Sequence, residues 1–241
     1  MTNTSHPPYA TACLWSGGKD AALALYHTLQ NPDYEVKQLL TTCNEAHERV
    51  SMHGIREALI RRQAEVIGLP WQAVRLPEEA SMEDYNQRMQ AVQTHWAEQQ
   101  ISHVLCGDIF LEDLRRYREE RFAQQHLQGV FPLWQRDSLD LLEEFWALGF
   151  RAKVVCVSAR YLDQSFVGRD LDREFVQALP PEVDPCGENG EFHSFVYQAP
   201  YFSAFIPVVV GEKVYRTYPT PANQTPPAWD TGFWFADLLL G

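Results

Sequence analysis

Short apolar runs alternate with helix-length stretches through the first half of the chain. Tyr9 to Trp15 is apolar and ends abruptly at Ser16-Gly17-Gly18, as a strand entering a loop does. Asp20 to Leu29, rich in Ala and Leu and apolar nearly all round, predicts a helix buried against a sheet, broken at Asn31-Pro32. Val36 to Thr42 reads as the next strand. Ile55, Leu59, Val66 and Ile67 mark a helix that stops at Gly68. Trp71 to Leu76 is a third strand. Met82 to Gln99 is a long helix with Tyr85, Met89, Val92 and Trp96 on one face. His103 to Cys106 is a fourth strand ending at Gly107-Asp108, and Leu111 to Gln125 is a helix. Strands and helices alternating at this spacing imply a parallel sheet covered on both faces.

After Gly129 the pattern changes. Ser138 to Leu148 predicts a helix closed by Gly149, and Lys153 to Val157 a strand. The remainder is strand-like: Ser194 to Tyr197, a hairpin from Pro207 to Tyr215 turning near Gly211-Glu212, and a terminal run Phe233 to Leu240. The expected division is a nucleotide-binding domain at 1–130 and a smaller α+β substrate domain at 131–241.

Composition narrows the class. With 45% hydrophobic and 22% charged residues, the 241-residue chain is of ordinary globular type. No apolar run approaches the roughly 18 residues that span a bilayer, and Met1 to Pro8 lacks the order of a secretory signal. Cytoplasmic residence and no membrane association are expected. The net charge of −12 argues against a nucleic-acid partner, whose phosphates are bound through Lys and Arg. Arg115, Arg116, Arg118 and Arg121 cluster, but Glu112, Asp113, Glu119 and Glu120 interleave with them, which reads as a solvated, ion-paired helix face. The five cysteines form no CxxC pair or zinc spacing and read as reduced thiols. Of these only Cys186 lies in a polar, turn-rich context.

A strand that runs through Ser16-Gly17-Gly18-Lys19-Asp20 directly into a helix suits a phosphate group. The glycines admit close backbone approach, successive N–H groups point into one concavity, and the helix N-terminus adds partial positive charge. Ser16 offers a hydroxyl and Lys19 an ammonium. Asp20 repels phosphate, so its expected work is to orient the loop or hold Mg²⁺. A Gly-Gly turn with a helix-capping side chain is the plainer alternative.

Trp15-Ser16-Gly17-Gly18-Lys19-Asp20 resembles the SGGxDS pyrophosphate loop of the N-type ATP pyrophosphatases. That resemblance implies an adenine-nucleotide α-hydrolase-like, Rossmann-like fold and adenylation of a substrate oxygen by ATP. The final Ser of the pattern is Ala21 here, so one hydroxyl contact is missing.

Asp184-Pro185-Cys186-Gly187-Glu188-Asn189-Gly190-Glu191-Phe192-His193 is the densest polar stretch. Its glycines allow a tight loop from which Glu188, Glu191 and His193 can converge. Carboxylates and an imidazole can take a proton from an attacking amine, and a structural polar loop is the alternative. The stretch resembles the GE-x-GE-F/Y-H-S/T motif of the diphthine–ammonia ligase family. Val50-Ser51-Met52-His53-Gly54 and Gly107-Asp108-Ile109-Phe110-Leu111-Glu112-Asp113 are similar to that family's internal signatures. Membership implies an ATP-dependent ligase that adenylates a carboxylate, transfers ammonia and releases AMP and pyrophosphate. The substrate it implies is the diphthine carboxylate of elongation factor 2 or, in the compact branch that this chain resembles, a small metabolite.

The candidate catalytic residues are thus Lys19, Glu188, Glu191 and His193. Ser16, Gly17, Gly18, Lys19, Asp20, Thr41, Thr42, His53, Gly107 and Asp108 are candidates for the nucleotide, with Asp20 for Mg²⁺. Asp108, Thr41 and Thr42 end strands at the sheet edge where ligands bind in open α/β sheets. Glu57, four positions after His53, is a candidate partner for it. Competing readings are a thiolating ATP pyrophosphatase using Cys186 and a non-catalytic nucleotide-binding regulator. Free ammonium or a separate protein would supply nitrogen, and the apolar C-terminal stretch allows a homo-oligomer.

Overall fold

A computed structural model describes residues 7–51, 53–77, 81–218 and 232–241. The predicted run after the N-terminus forms β1 (Tyr9–Leu14), which passes through the glycine loop into α1 (Lys19–Gln30). Then come β2 (Tyr34–Asn44), β3 (Arg49–Val50), α2 (Glu57–Ile67), β4 (Trp71–Leu76), α3 (Met82–Glu98), β5 (His103–Leu105), α4 (Glu112–Ala123) and β6 (Gln128–Val130). β4, β2, β1, β5 and β6 lie side by side and parallel, while β3 adds antiparallel to the end of β2. This is the Rossmann-like α/β arrangement. β6 escaped the sequence pattern because three residues around a glycine show no alternation.

Helix placement follows composition. Ala21 to Leu25 are all buried, so α1 packs as the apolar helix its sequence describes. α2 ends where Gly68 adopts the left-handed conformation at φ 79°. α3 begins with a capping box in which Ser81 and Asp84 satisfy each other's backbone N–H groups. The α3 and α4 face packs around Met89, Val92, Trp96 and Phe122. The α1 and α2 face belongs to a larger core that continues into the second half of the chain.

That second half holds α5 (Ser138–Ala147), β7 (Arg151–Ser158), the short α6 (Arg173–Gln177), β8 (Phe192–Gln198), β9 (Val208–Thr217) and β10 (Gly232–Leu240). Four strands form an antiparallel sheet in the order β8-β7-β10-β9. The expected hairpin at Pro207 to Tyr215 is not formed. β9 runs straight through Gly211 and pairs along its length with β10. A Cβ on Gly211 would lie 3.0 Å from the Asp237 carbonyl oxygen, so this glycine permits close approach of two strands rather than a turn.

The two sheets are tied by charge as well as by apolar contact. Asp237 on β10 accepts from Arg56 at 2.9 and 2.6 Å and lies 2.9 Å from Arg49. The Arg56 hydrogen bonds and the Arg49 pairing hold the Asp237 carboxyl below its ordinary pKa. A depressed folded-state pKa contributes stability above the unfolded value, and that contribution is lost as pH falls through the folded one. Asp237→Asn should therefore lower unfolding free energy by about 1 kcal/mol at neutral pH. Urea denaturation at a series of pH values should show the difference shrinking in acid.

Candidate active site

The loop between β1 and α1 is held by the second sheet. Gly17 sits at φ +80°, and a Cβ there would lie 2.5 Å from Ile60 and 2.7 Å from the Gln63 amide oxygen. Glycine alone fits. The Gly17 carbonyl accepts from the Val196 N–H at 2.9 Å and from Gln63 Nε2 at 3.0 Å. Gln63 also donates to the Val196 carbonyl at 2.6 Å and accepts from the Trp15 indole at 2.9 Å. Ser194 Oγ accepts from the Lys19 N–H at 3.1 Å. Gly18 caps α1 without any side-chain bond to the helix, and Ser16 Oγ instead accepts from the Gly18 N–H at 3.3 Å.

This loop forms one wall of a cavity of about 960 Å³ at the C-terminal edge of the parallel strands. Ser16, Gly18, Lys19, Asp20, Thr41, Thr42, His53, Gly107, Asp108, Glu188 and His193 all line it. Two sequence candidates do not. Gly17 acts from behind, through its backbone. Glu191 is buried within its own loop, where Oε1 accepts from the Asp184 N–H and from the Asn189 amide, each at 3.0 Å. Thr41 reaches the cavity wall, but its hydroxyl is engaged, donating to the Trp15 carbonyl at 2.6 Å and accepting from the Trp71 indole at 2.9 Å. Glu57 does not meet His53. It pairs with Arg75 at 2.6 Å, while His53 Nδ1 lies 3.3 Å from the Ser51 carbonyl. Met52, between those two, lies outside the described residues.

Charge in the cavity is unevenly divided. Lys19 Nζ donates to both oxygens of Asp20, at 2.6 and 2.7 Å. Burial is the largest single influence on Lys19 and lowers its pKa. The charges of Asp20, Cys186 and Glu188 and the Asp20 hydrogen bonds together outweigh it, and the ammonium titrates above its usual range. Burial raises the Asp20 carboxyl despite Lys19. Asp108 is also raised by burial, against the pull of Arg118, whose Nε stands 3.0 Å away. Glu188 accepts from the Ile109 N–H at 2.8 Å, yet burial and then the Asp20 charge push its carboxyl up to about 7. His53 and His193 stack with centroids 4.2 Å apart. Burial lowers both, His53 to about 4, so both rings are neutral near pH 7.

Among the described residues no group of three His, Cys, Asp or Glu is placed to hold a metal ion. Magnesium is normally held by one or two carboxylates together with substrate phosphates. Asp20, on the cavity wall beside the glycine loop, fits that pattern. Cys186 is buried, donates to the Ser138 carbonyl at 3.3 Å, and burial pushes its thiol up to about 12. A thiol kept protonated is a poor nucleophile.

Gln63, Ser194, Asp184 and Arg118 were not candidates from the sequence. Gln63 shows as a polar interruption of the apolar face made by Leu59, Ile60 and Val66. Ser194 fills the last position of the quoted carboxylate-rich motif. Asp184 Oδ2 accepts from the N–H groups of Cys186 and Glu188, at 3.1 and 3.0 Å, and so shapes the loop. Arg118 was read with a solvated cluster. Arg115 and Arg116 do pair with Glu119 and Asp113 on that helix, whereas Arg118 turns inward.

The fold and site define a Rossmann-like α/β protein whose glycine loop borders a large cavity and is closed by a second sheet. Comparison with known proteins places it further. The diphthamide synthase N-terminal domain model matches residues 9–126, and the diphthamide synthase C-terminal domain model matches residues 137–219. The chain belongs to the diphthamide synthase family. It is 32% identical over 122 residues to a human protein named diphthine–ammonia ligase and 34% identical over 122 residues to the rat one; each match covers 48% of this chain and 45% of the relative. The fission yeast protein of the same name is 30% identical over 107 residues, 42% of this chain and 18% of its own length. The chain therefore spans less than half the length of the curated relatives it matches.

Gln63→Leu should strip the Trp15 indole and the Val196 carbonyl of buried partners. At about 1–3 kcal/mol for each unsatisfied group, unfolding free energy should fall by about 2–6 kcal/mol in urea titrations.

Proposed function

We propose that the protein is an ATP-dependent amide ligase that adenylates a carboxylate and transfers ammonia to it, releasing AMP and pyrophosphate. The observation that carries this reading is the meeting of the glycine loop, Lys19 and Asp20 with Glu188 and His193 on one cavity. An activating end and a proton-accepting end face the same space. The names of the relatives support the same chemistry.

In this reading the backbone around Gly18, the start of α1 and Lys19 hold the phosphates. The ends of β2 at Thr41 and Thr42, with His53, Gly107 and Asp108, receive the nucleoside part. Asp20 would hold Mg²⁺, which when bound would neutralise charge on the departing pyrophosphate. To do so Asp20 must release part of its pairing with Lys19, which frees the ammonium for phosphate. A carboxylate oxygen attacks the α-phosphorus, the bond to the β-phosphate oxygen breaks, and pyrophosphate leaves. Ammonia then attacks the acyl carbon and AMP departs with the C–O bond pair. Glu188 accepts the proton that ammonium must lose, and neutral His193 orients the nucleophile through a ring nitrogen. Glu191 contributes by fixing the loop that carries Glu188.

The division at about residue 130 belongs to this proposal: the first sheet activates and the second supplies acceptor chemistry. So do cytoplasmic residence and a nitrogen supply from free ammonium. The thiolating alternative is weakened by the buried, protonated Cys186.

Pyrophosphate and AMP should form in equal amounts from ATP, Mg²⁺ and ammonium only when a carboxylate acceptor is present. Equal release with no acceptor dependence would contradict the reading. Asp20→Asn should lower turnover by roughly 10²-fold or more, a larger loss than its effect on folding stability, in line with loss of a group that organises transition-state charge.

The pH profile follows from Glu188. Its raised pKa leaves it protonated below about 7 and competent as a proton acceptor above. With the ammonium concentration held constant, the amide-forming rate should fall as pH drops through about 7. Glu188→Gln should abolish that limb along with most turnover, while ATP still binds.

A further inference from the structure

A second, smaller cavity of about 260 Å³ lies between α3 and α4. It shares Leu14, Tyr85, Met89 and Arg118 with the large cavity, so the two meet at a common wall. The proposed ligase chemistry assigns it nothing. Its volume is below the ~300 Å³ at which typical whole-ligand sites begin, which suits an end group reaching out of the main cavity.

The lining has a distinct chemistry. Five carboxamides, Asn86, Gln90, Gln93, Gln124 and Gln125, share it with Arg118 and Arg121, and no Asp or Glu is among the described lining residues. In a chain of net charge −12 this is a local reversal of sign. Arg118 is committed to Asp108 on the large-cavity side. Arg121 lies over the Tyr117 ring at 5.5 Å and, among the described residues, hydrogen-bonds only the neutral Gln124 amide, at 3.5 Å. Its charge is thus directed at the small cavity without a carboxylate to offset it. Cations and amide donors in a partly enclosed space favour an anionic, hydrogen-bonding group and disfavour a cationic one.

We propose that this side cavity is the specificity subsite for the acceptor, and that the acceptor is a small acid with a second anionic group at its far end. One carboxylate reacts at the glycine loop, and the other reaches past Arg118 to Arg121. The assignment rests on the ligase reading for the identity of the reacting end, but its charge preference stands on the cavity wall alone.

The test is calorimetric titration of the full chain, loaded with Mg²⁺ and α,β-methylene ATP so that no turnover occurs. The probes are glutarate, its monoamide, butyrate, and 4-(trimethylammonio)butyrate, which carries a cation where glutarate has its second carboxylate. Glutarate should bind at least tenfold more tightly than butyrate or the cationic probe, with the monoamide between. Arg121→Gln should erase the preference for glutarate without altering affinity for the nucleotide analogue, and Arg121→Lys should restore most of it. Equal or tighter binding of the cationic probe, no binding of any probe, or an unchanged preference in Arg121→Gln would each overturn the proposal. Pyrophosphate release from ATP with glutarate and ammonium is read separately. Selective binding without release would count against the ligase reading and leave the subsite standing.

Discussion

The structure turns on the grip that the second sheet exerts on the Gly17 carbonyl and the Lys19 N–H. A glycine loop at φ +80° is conformationally free unless something holds it, because glycine loses more backbone entropy on ordering than any other residue. Here β8 supplies the hold with the Val196 N–H and Ser194 Oγ, and α2 supplies it with Gln63. These bonds are buried, so breaking one leaves an unsatisfied group and the loop is fixed in a single shape. The anion site proposed at this loop needs that fixity, since catalysis rests on donors already aimed where charge develops.

The same contact decides where the acidic loop goes. Because β8 is pinned to the glycine loop, His193 at its start and Glu188 in the segment just before it are brought to the cavity that Lys19 lines. Asp184 and Glu191 then fold the segment on itself. The Asp184 carboxylate accepts from the N–H groups of Cys186 and Glu188, while Glu191 accepts from the Asp184 N–H. Two carboxylates act as scaffolding so that a third can face the cavity. Burial beside Asp20 leaves that third group with a proton affinity near neutrality, where a general base is most useful.

Charge is organised into separate territories. Lys19 and Asp20 neutralise each other at the loop, and Arg118 and Asp108 do so across the cavity. Beyond Arg118 the wall turns to amides and arginine. A molecule lying through both spaces would meet paired charges where ATP chemistry is proposed and unpaired positive charge at its other end. This gradient arises from one helix, α4, which sends Arg115 and Arg116 to its own acidic neighbours and Arg118 inward.

The sequence alone determined the alternation of strands and helices in the first half, since burial on one or both faces imposes a period that single residues reveal. It also determined where the glycine loop falls, because an apolar strand breaks off at Ser16-Gly17-Gly18 and an apolar helix starts at once. Most of the cavity wall was legible for the same reason: Lys19, Asp20 and Asp108 follow strand ends, Thr42 lies near the end of β2, and parallel strands bring their ends to one edge. The sequence could not distinguish a carboxylate that faces a ligand from one that braces its loop, so Glu188 and Glu191 looked alike. Gly211 likewise looked like a turn, because a glycine admits close strand approach and tight turning equally well. Gln63, Ser194 and Arg118 matter through partners 46, 175 and 10 positions away, respectively, and no local pattern encodes a hydrogen bond between distant segments. Only the packing of the second sheet against the first decided which polar groups were spent on structure and which were left facing the cavity.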